Sequence, residues 1–173
     1  MKSLLLAATA TVLLATTPLV SRAMLQTVEK RIDQKLESLF DEPFLLLGLT
    51  RGVYLEKYGA VFSAELQLVV TPGVGTFGFT TPSKELIAST RAKKLERLPQ
   101  LKQAMRGQLV SAATLLERMP PGENVVLAVS LFRRNWEDAD GLPSQVVMRA
   151  QRKSLLAART SAAIEAAIRL EEF

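Results

Sequence analysis

The chain contains no cysteine and no histidine. Without a thiol there is no disulfide, no cysteine nucleophile and no thiolate metal ligand. Without imidazole there is no histidine general base, and the commonest zinc ligand is missing. Ser-His-Asp, Cys-His and zinc-hydrolase chemistry, and haem held by histidine, are therefore excluded within one copy of the chain. Carboxylates, lysine, tyrosine and hydroxyl groups are what remains for catalysis. Aromatics are scarce, with one tryptophan (Trp136) and two tyrosines (Tyr54 and Tyr58), so each marks a position worth following. Positive charge is in surplus by only +5. Lys2 and Arg22 lie in an apparent leader, and setting them aside leaves 20 basic residues against 17 acidic ones. A nucleic-acid binder concentrates a larger surplus on one face, so no nucleic-acid partner is expected.

Apolar material is plentiful. At 48% hydrophobic and 23% charged over 173 residues, the chain has enough for one packed core and is not of disordered composition. Met1-Lys-Ser is a short basic start, and Leu4 to Val20 carries no charge. Ser21-Arg-Ala23 then places small residues at −3 and −1 of a cut before Met24. This three-part pattern is that of a secretory signal peptide. The alternative is an uncleaved N-terminal anchor, although the apolar run is a little short of the roughly 20 residues that span a bilayer. The expected organisation is residues 1–23 as signal peptide or anchor and 24–173 as a single exported domain, periplasmic or secreted.

Periodicity then divides the domain. Val28, Ile32, Leu36 and Phe40 recur at helical spacing over 26–40, and the charged residues between them read as a solvated face. Strands are expected over about 50–56 and 60–70, where Phe62, Ala64, Leu66 and Leu68 alternate with more polar neighbours, and Gly59 suits the turn between them. Residues 82–118 are helical in period. Thr81 or Pro82 would open the helix, and Pro99 predicts a kink or a second start. Val125–Phe132 and Gln145–Arg149 are β-prone. Arg152–Phe173 reads as one Ala-rich helix with a narrow apolar seam. The predicted fold is α+β, in the order α-ββ-α-ββ-α. It has one antiparallel sheet of four to five strands and helices mainly on one face. The bare face would then need polar side chains, some of which Ser63, Glu65, Gln67 and Ser130 supply, or a partner.

Gly73-Val-Gly75-Thr-Phe-Gly78 matches the glycine spacing of dinucleotide-binding turns and resembles the glycine-rich loop of protein kinases. The rest of both constellations is missing. In a dinucleotide site the third glycine lies inside the helix that holds the pyrophosphate, whereas here Pro82 delays the helix. No Gly-Lys-Ser/Thr follows, and there is no kinase catalytic loop or Asp-Phe-Gly. The expectation is a surface connection with no nucleotide.

Further candidates are weaker. Arg133, Arg134 and Trp136 sit together at a strand end, and these residue types are enriched in binding hot spots. The structural alternative is a tryptophan covering the core edge with arginine stacked on it. Tyr54, Glu56 and Tyr58 flank the first hairpin turn and could meet a glycan or peptide, or form a cross-strand packing pair. Glu137-Asp-Ala-Asp-Gly141 has part of a calcium-loop pattern, but Trp136 and Val147 occupy positions that need oxygen ligands. The basic 82–118 helix could touch anionic lipid or simply be solvated. The stretch Arg51 to Phe62 (RGVYLEKYGAVF) resembles small exported bacterial proteins with no assigned activity, and the resemblance implies none. The sequence thus predicts a non-catalytic exported binding protein of the cell envelope, with an envelope protein or a second copy as partner and peripheral membrane contact as a further possibility. No cofactor or metal is expected. The alternative is a carboxylate-dependent hydrolase of cell-wall or glycan substrates.

Overall fold

A computed structural model describes residues 19–40, 44–71 and 82–173. The elements in chain order are α1 (Arg22–Glu37), β1 (Leu45–Leu46), β2 (Arg51–Leu55), β3 (Gly59–Gln67), α2 (Lys84–Leu115), β4 (Asn124–Leu131), β5 (Gln145–Gln151), α3 (Arg152–Ala157), α4 (Ser161–Ala167) and β6 (Arg169–Glu172). The six strands form one sheet. β1 and β2 lie in succession along one side of β3, followed by β4, β5 and β6.

The predicted first hairpin is present. β2 pairs antiparallel with β3, from Arg51 opposite Ser63 to Leu55 opposite Gly59. Tyr58 N–H donates to the Leu55 carbonyl at 3.0 Å to close the turn. Gly59 has a φ of +130°, and a Cβ there would lie 1.9 Å from the Asn124 carbonyl oxygen. Glycine is required here by conformation and by the approach of the next strand.

That next strand corrects the expected sheet. β3 and β4 are parallel, with Gly59 opposite Asn124 and Leu66 opposite Leu131, whereas every other pairing is antiparallel. The sheet is therefore mixed. The cause is α2, whose 32 residues extend about 48 Å. That is long enough to return the chain from the end of β3 to its beginning, so β4 must run the same way. Apolar alternation marks a strand and its inner face but not its direction.

Two further expectations are corrected. α2 continues as one helix through Pro99, so the proline does not open a second helix. It starts after Ser83, whose hydroxyl accepts the Leu86 N–H at 3.2 Å, while Thr81 lies outside the described residues. Hydrogen bonds from its own backbone N–H and from Ser83 hold the Glu85 carboxyl below its ordinary range. The Ala-rich C-terminal segment is not one helix. Thr160 accepts the Ala163 N–H at 3.2 Å and restarts the helix, and residues 169–172 pair antiparallel with β5. Side-chain capping and sheet pairing override a local helix preference there.

One face of the sheet carries the core. Ala60, Phe62, Ala64 and Leu66 of β3, Val125, Leu127, Val129 and Leu131 of β4, and Val146, Met148 and Ala150 of β5 meet α1 and α2. The helices contribute Val28, Ile32, Leu36, Leu101, Met105 and Leu109. These strand residues alternate strictly, so they all belong to the same face. α1 and α2 pack on this face.

Candidate interaction surface

The outer rim of β2 has unpaired backbone groups, and α1 supplies their partners. Glu29 Oε1 accepts the Gly52 N–H at 2.7 Å, and Asp33 Oδ1 accepts the Thr50 N–H at 2.9 Å. Arg22 Nη1 donates to the Gly52 carbonyl at 3.0 Å. The same guanidinium grips Glu29 at 2.7 and 2.9 Å through both nitrogens. The spacing explains the fit. Residues four apart on a helix rise about 6 Å, and residues two apart on a strand span about 6.6 Å. Glu29 and Asp33, assigned by sequence to a solvated face, are in fact buried. Gly52 has no side chain because a Cβ would stand 2.6 Å from the Phe62 ring. At Thr50 and Gly52 the rim is thereby blocked against an added strand.

The opposite face of the sheet is uncovered along β2, although Gln67 and Val126 on that face are buried. The Leu47 N–H donates to the Glu65 carbonyl at 2.8 Å and Arg51 pairs with Ser63, so residues 48–50 bulge opposite Ala64. Odd-numbered positions on either side of the bulge consequently point away from the core. Leu45, Leu47, Leu49, Val53 and Leu55 are 37–64% exposed. They form an aliphatic stripe along β1 and β2, interrupted by Arg51. Across the sheet it continues into Val61, Ala128 and Val147, all half-buried, with Ser63 and Glu65 among them. Contiguous exposed aliphatics of this kind mark contact surfaces in soluble proteins.

The residues singled out by sequence fall at two ends of the sheet. Tyr54 and Tyr58 flank the β2–β3 turn, where the Tyr58 carbonyl receives the Asn124 N–H at 2.8 Å. Tyr58 is exposed, whereas Tyr54 packs against the core. The Tyr54 hydroxyl and Glu123 Oε2 are both buried without a well-formed hydrogen bond. The phenol is pushed up to about 12, first by burial and then by the adjacent Glu123 carboxylate. Arg133, Arg134 and Trp136 follow the far end of β4. Its eight residues separate the two groups by roughly 23 Å, so they are not one site. Both arginines are exposed and Trp136 is half-buried.

The acidic loop holds α2 in place. Glu137 pairs with Lys94, and the two side chains are only 2% and 4% exposed. Asp138 and Asp140 contact Arg91 at 3.4 and 3.2 Å. Lys102 and Arg106 pair with Glu172 and Glu165, each at 2.7 Å. Arg97 lies over the Phe40 ring, 4.9 Å from its centroid. The basic helix, read by sequence as a solvated face, instead spends much of its charge inside the molecule.

A groove of about 670 Å³ between α1 and α2 is lined by Lys35, Leu39, Pro99, Gln100, Gln103, Ala104, Gly107 and Gln108. Among the described residues its lining contains no carboxylate. Among the described residues, no three acidic side chains converge to hold a metal ion, and no helix is long and apolar enough to cross a membrane. Gly73, Gly75 and Gly78 lie outside the described residues. No family model matches the chain, and no curated protein or solved structure is significantly similar to it.

Proposed function

We propose that this chain is a non-catalytic, exported protein of the cell envelope that works by binding through the sheet face left uncovered along β2. The observation that carries this reading is the aliphatic stripe of Leu45, Leu47, Leu49, Val53 and Leu55, exposed beside a backbone rim that α1 blocks at Thr50 and Gly52. Covering a half-exposed leucine contributes on the order of 1 kcal/mol. A partner seated on the stripe gains several such terms before the ordering cost of association. Export is supported by the uncharged run from Leu4 to Val20 behind a basic start.

Because the chain has no cysteine, a single introduced thiol reports one position without background. Leu49→Cys and Leu55→Cys should react at least several-fold more slowly with a water-soluble maleimide in the native envelope than in purified, detergent-solubilised protein. Ala162→Cys on α4 should react equally in both settings. Equal reactivity of the stripe positions in both settings would refute a role for this face in binding.

A further inference from the structure

The stripe and the exit of the N-terminal apolar segment share one rim of the fold. Val20 is 3% exposed and belongs to the core. Ser21 caps α1 by accepting the Met24 N–H at 3.3 Å. Arg22 then binds both Glu29 and the Gly52 carbonyl. These three residues precede the Ala23–Met24 bond, yet they are structural parts of the domain. A cut at that bond would remove a core side chain, a helix cap and the cation of a buried carboxylate.

Residues 4–18 carry no charge. They end four positions before Arg22, a reach of at most about 14 Å. An apolar segment that enters a bilayer therefore brings β2 close to the same surface. β2 is an outer strand, so the chain can pass the rim without crossing another strand. β1, β2 and the segment between them expose five aliphatics, Leu45, Leu47, Leu49, Val53 and Leu55. Arg51 lies among them and Lys57 at their end, and both are exposed. Long basic side chains of this kind keep their heads at the headgroup level while their stems lie along apolar surface. Glu56 beside Lys57 keeps the patch from being strongly cationic, so aliphatic contact is the larger contribution.

We propose that the stripe rests on a lipid bilayer, at the boundary of headgroups and acyl chains, with residues 1–18 retained as its tether. This rests on the binding reading above and names its partner. The alternatives are a second copy of the chain and another envelope protein. Strand addition by either beside Thr50 and Gly52 is opposed by the α1 carboxylates, so contact on this side of the sheet is face-on.

The test uses the full chain with one environment-sensitive fluorophore on Leu49→Cys or, separately, Ala162→Cys. Each is reconstituted into vesicles of three parts phosphatidylethanolamine to one part phosphatidylglycerol. The label at position 49 should shift to the blue and be quenched several-fold more than that at 162 by a nitroxide-bearing lipid. Equal, water-like emission at both positions overturns the proposal. Disulfide cross-linking of Leu49→Cys between copies, with no lipid quenching, assigns the stripe to a second copy. That result overturns the lipid contact and leaves the binding reading standing. Protection of the stripe in the native envelope without quenching in vesicles points to another protein, with the same consequence. Intact mass of the protein recovered from membranes should include residues before Met24; a chain beginning at Met24 overturns the tether.

Discussion

Replacing Glu29 by alanine strips three hydrogen bonds from the rim of the sheet at once, those to the Gly52 N–H and to both Arg22 nitrogens. The half-buried Gly52 N–H left without its partner costs about 1–3 kcal/mol. Losing the ion pair adds about 0–1 kcal/mol, because the Arg22 side chain is 51% exposed. Alanine's better helix propensity returns less than about 0.7 kcal/mol. The net expectation is a loss of about 2–3 kcal/mol. With a urea slope near 2 kcal/mol/M for a chain of this size, the midpoint falls by roughly 1–1.5 M. Arg22→Ala should cost about 1–2 kcal/mol, since Glu29 keeps the Gly52 bond but loses its counter-charge. The double variant should then fall short of additivity by about 1 kcal/mol. Urea unfolding of the full chain, followed by far-ultraviolet circular dichroism, measures all three variants. Amide exchange at Gly52 should accelerate in Glu29→Ala. Variants within about 0.3 kcal/mol of the parent, or fully additive losses, would show that the α1–β2 clamp does not hold the rim.

Three other perturbations have definite outcomes. Gly59→Ala must place a methyl 1.9 Å from the Asn124 carbonyl at a φ of +130°; a loss of about 3 kcal/mol or more by urea unfolding is expected, and a near-neutral variant would contradict the tight β3–β4 approach. Glu137→Ala leaves the buried Lys94 ammonium, among the described residues, with the Phe132 carbonyl alone, costing about 3–5 kcal/mol, whereas Lys94→Met with Glu137→Leu should recover most of it. Thermal unfolding decides the matter, and equal stability of all three proteins would show that the pair is not buried. For Tyr54, whose phenol is raised from 10.0 to about 12, the unfolded chain ionises first. The stability contributed by the protonated phenol is complete below pH 10 and is lost as pH rises toward 12. Tyr54→Phe should flatten the melting-temperature profile over that interval, and an unchanged alkaline limb rejects the assignment.

The parts of the fold that sequence revealed are those fixed by local period. Phe62, Ala64 and Leu66 alternate and Gly59 turns the chain, so the β2–β3 hairpin was visible. The run through Leu98, Leu101, Met105 and Leu109 made α2 visible. The direction of β4 was not, because residue alternation is the same for parallel and antiparallel partners. β6 was hidden for a related reason: Arg169–Glu172 follows an Ala-rich helical stretch, and only pairing with β5 makes it a strand. Buried charges were misread by counting charge before position. Lys94 lies at helical spacing with Leu98, Leu101 and Met105, and Glu29 and Asp33 sit beside Val28 and Ile32, so their faces were legible even though their partners were not. Of the candidate residues, Tyr54 shares β2 with the aliphatic stripe but turns to the core, and Tyr58 follows at its end. The stripe is not legible from sequence, because sequence alone does not say which face of a sheet a helix will cover.

The parallel seam also bears on the order in which the molecule assembles. Asn124 and Tyr58 meet across 66 positions, and closing that loop costs roughly 3 kcal/mol more entropy than closing a three-residue hairpin turn. The β2–β3 ribbon and the helix before it involve far shorter closures, so early native structure is expected in the N-terminal half and late structure along the middle of the sheet. Pulse-labelled amide exchange during refolding would register this as protection at Val53 before Val126. The segment that organises first is thus the one displaying unburied leucines, and a nascent molecule meets its surroundings with that surface formed while its interior is still open.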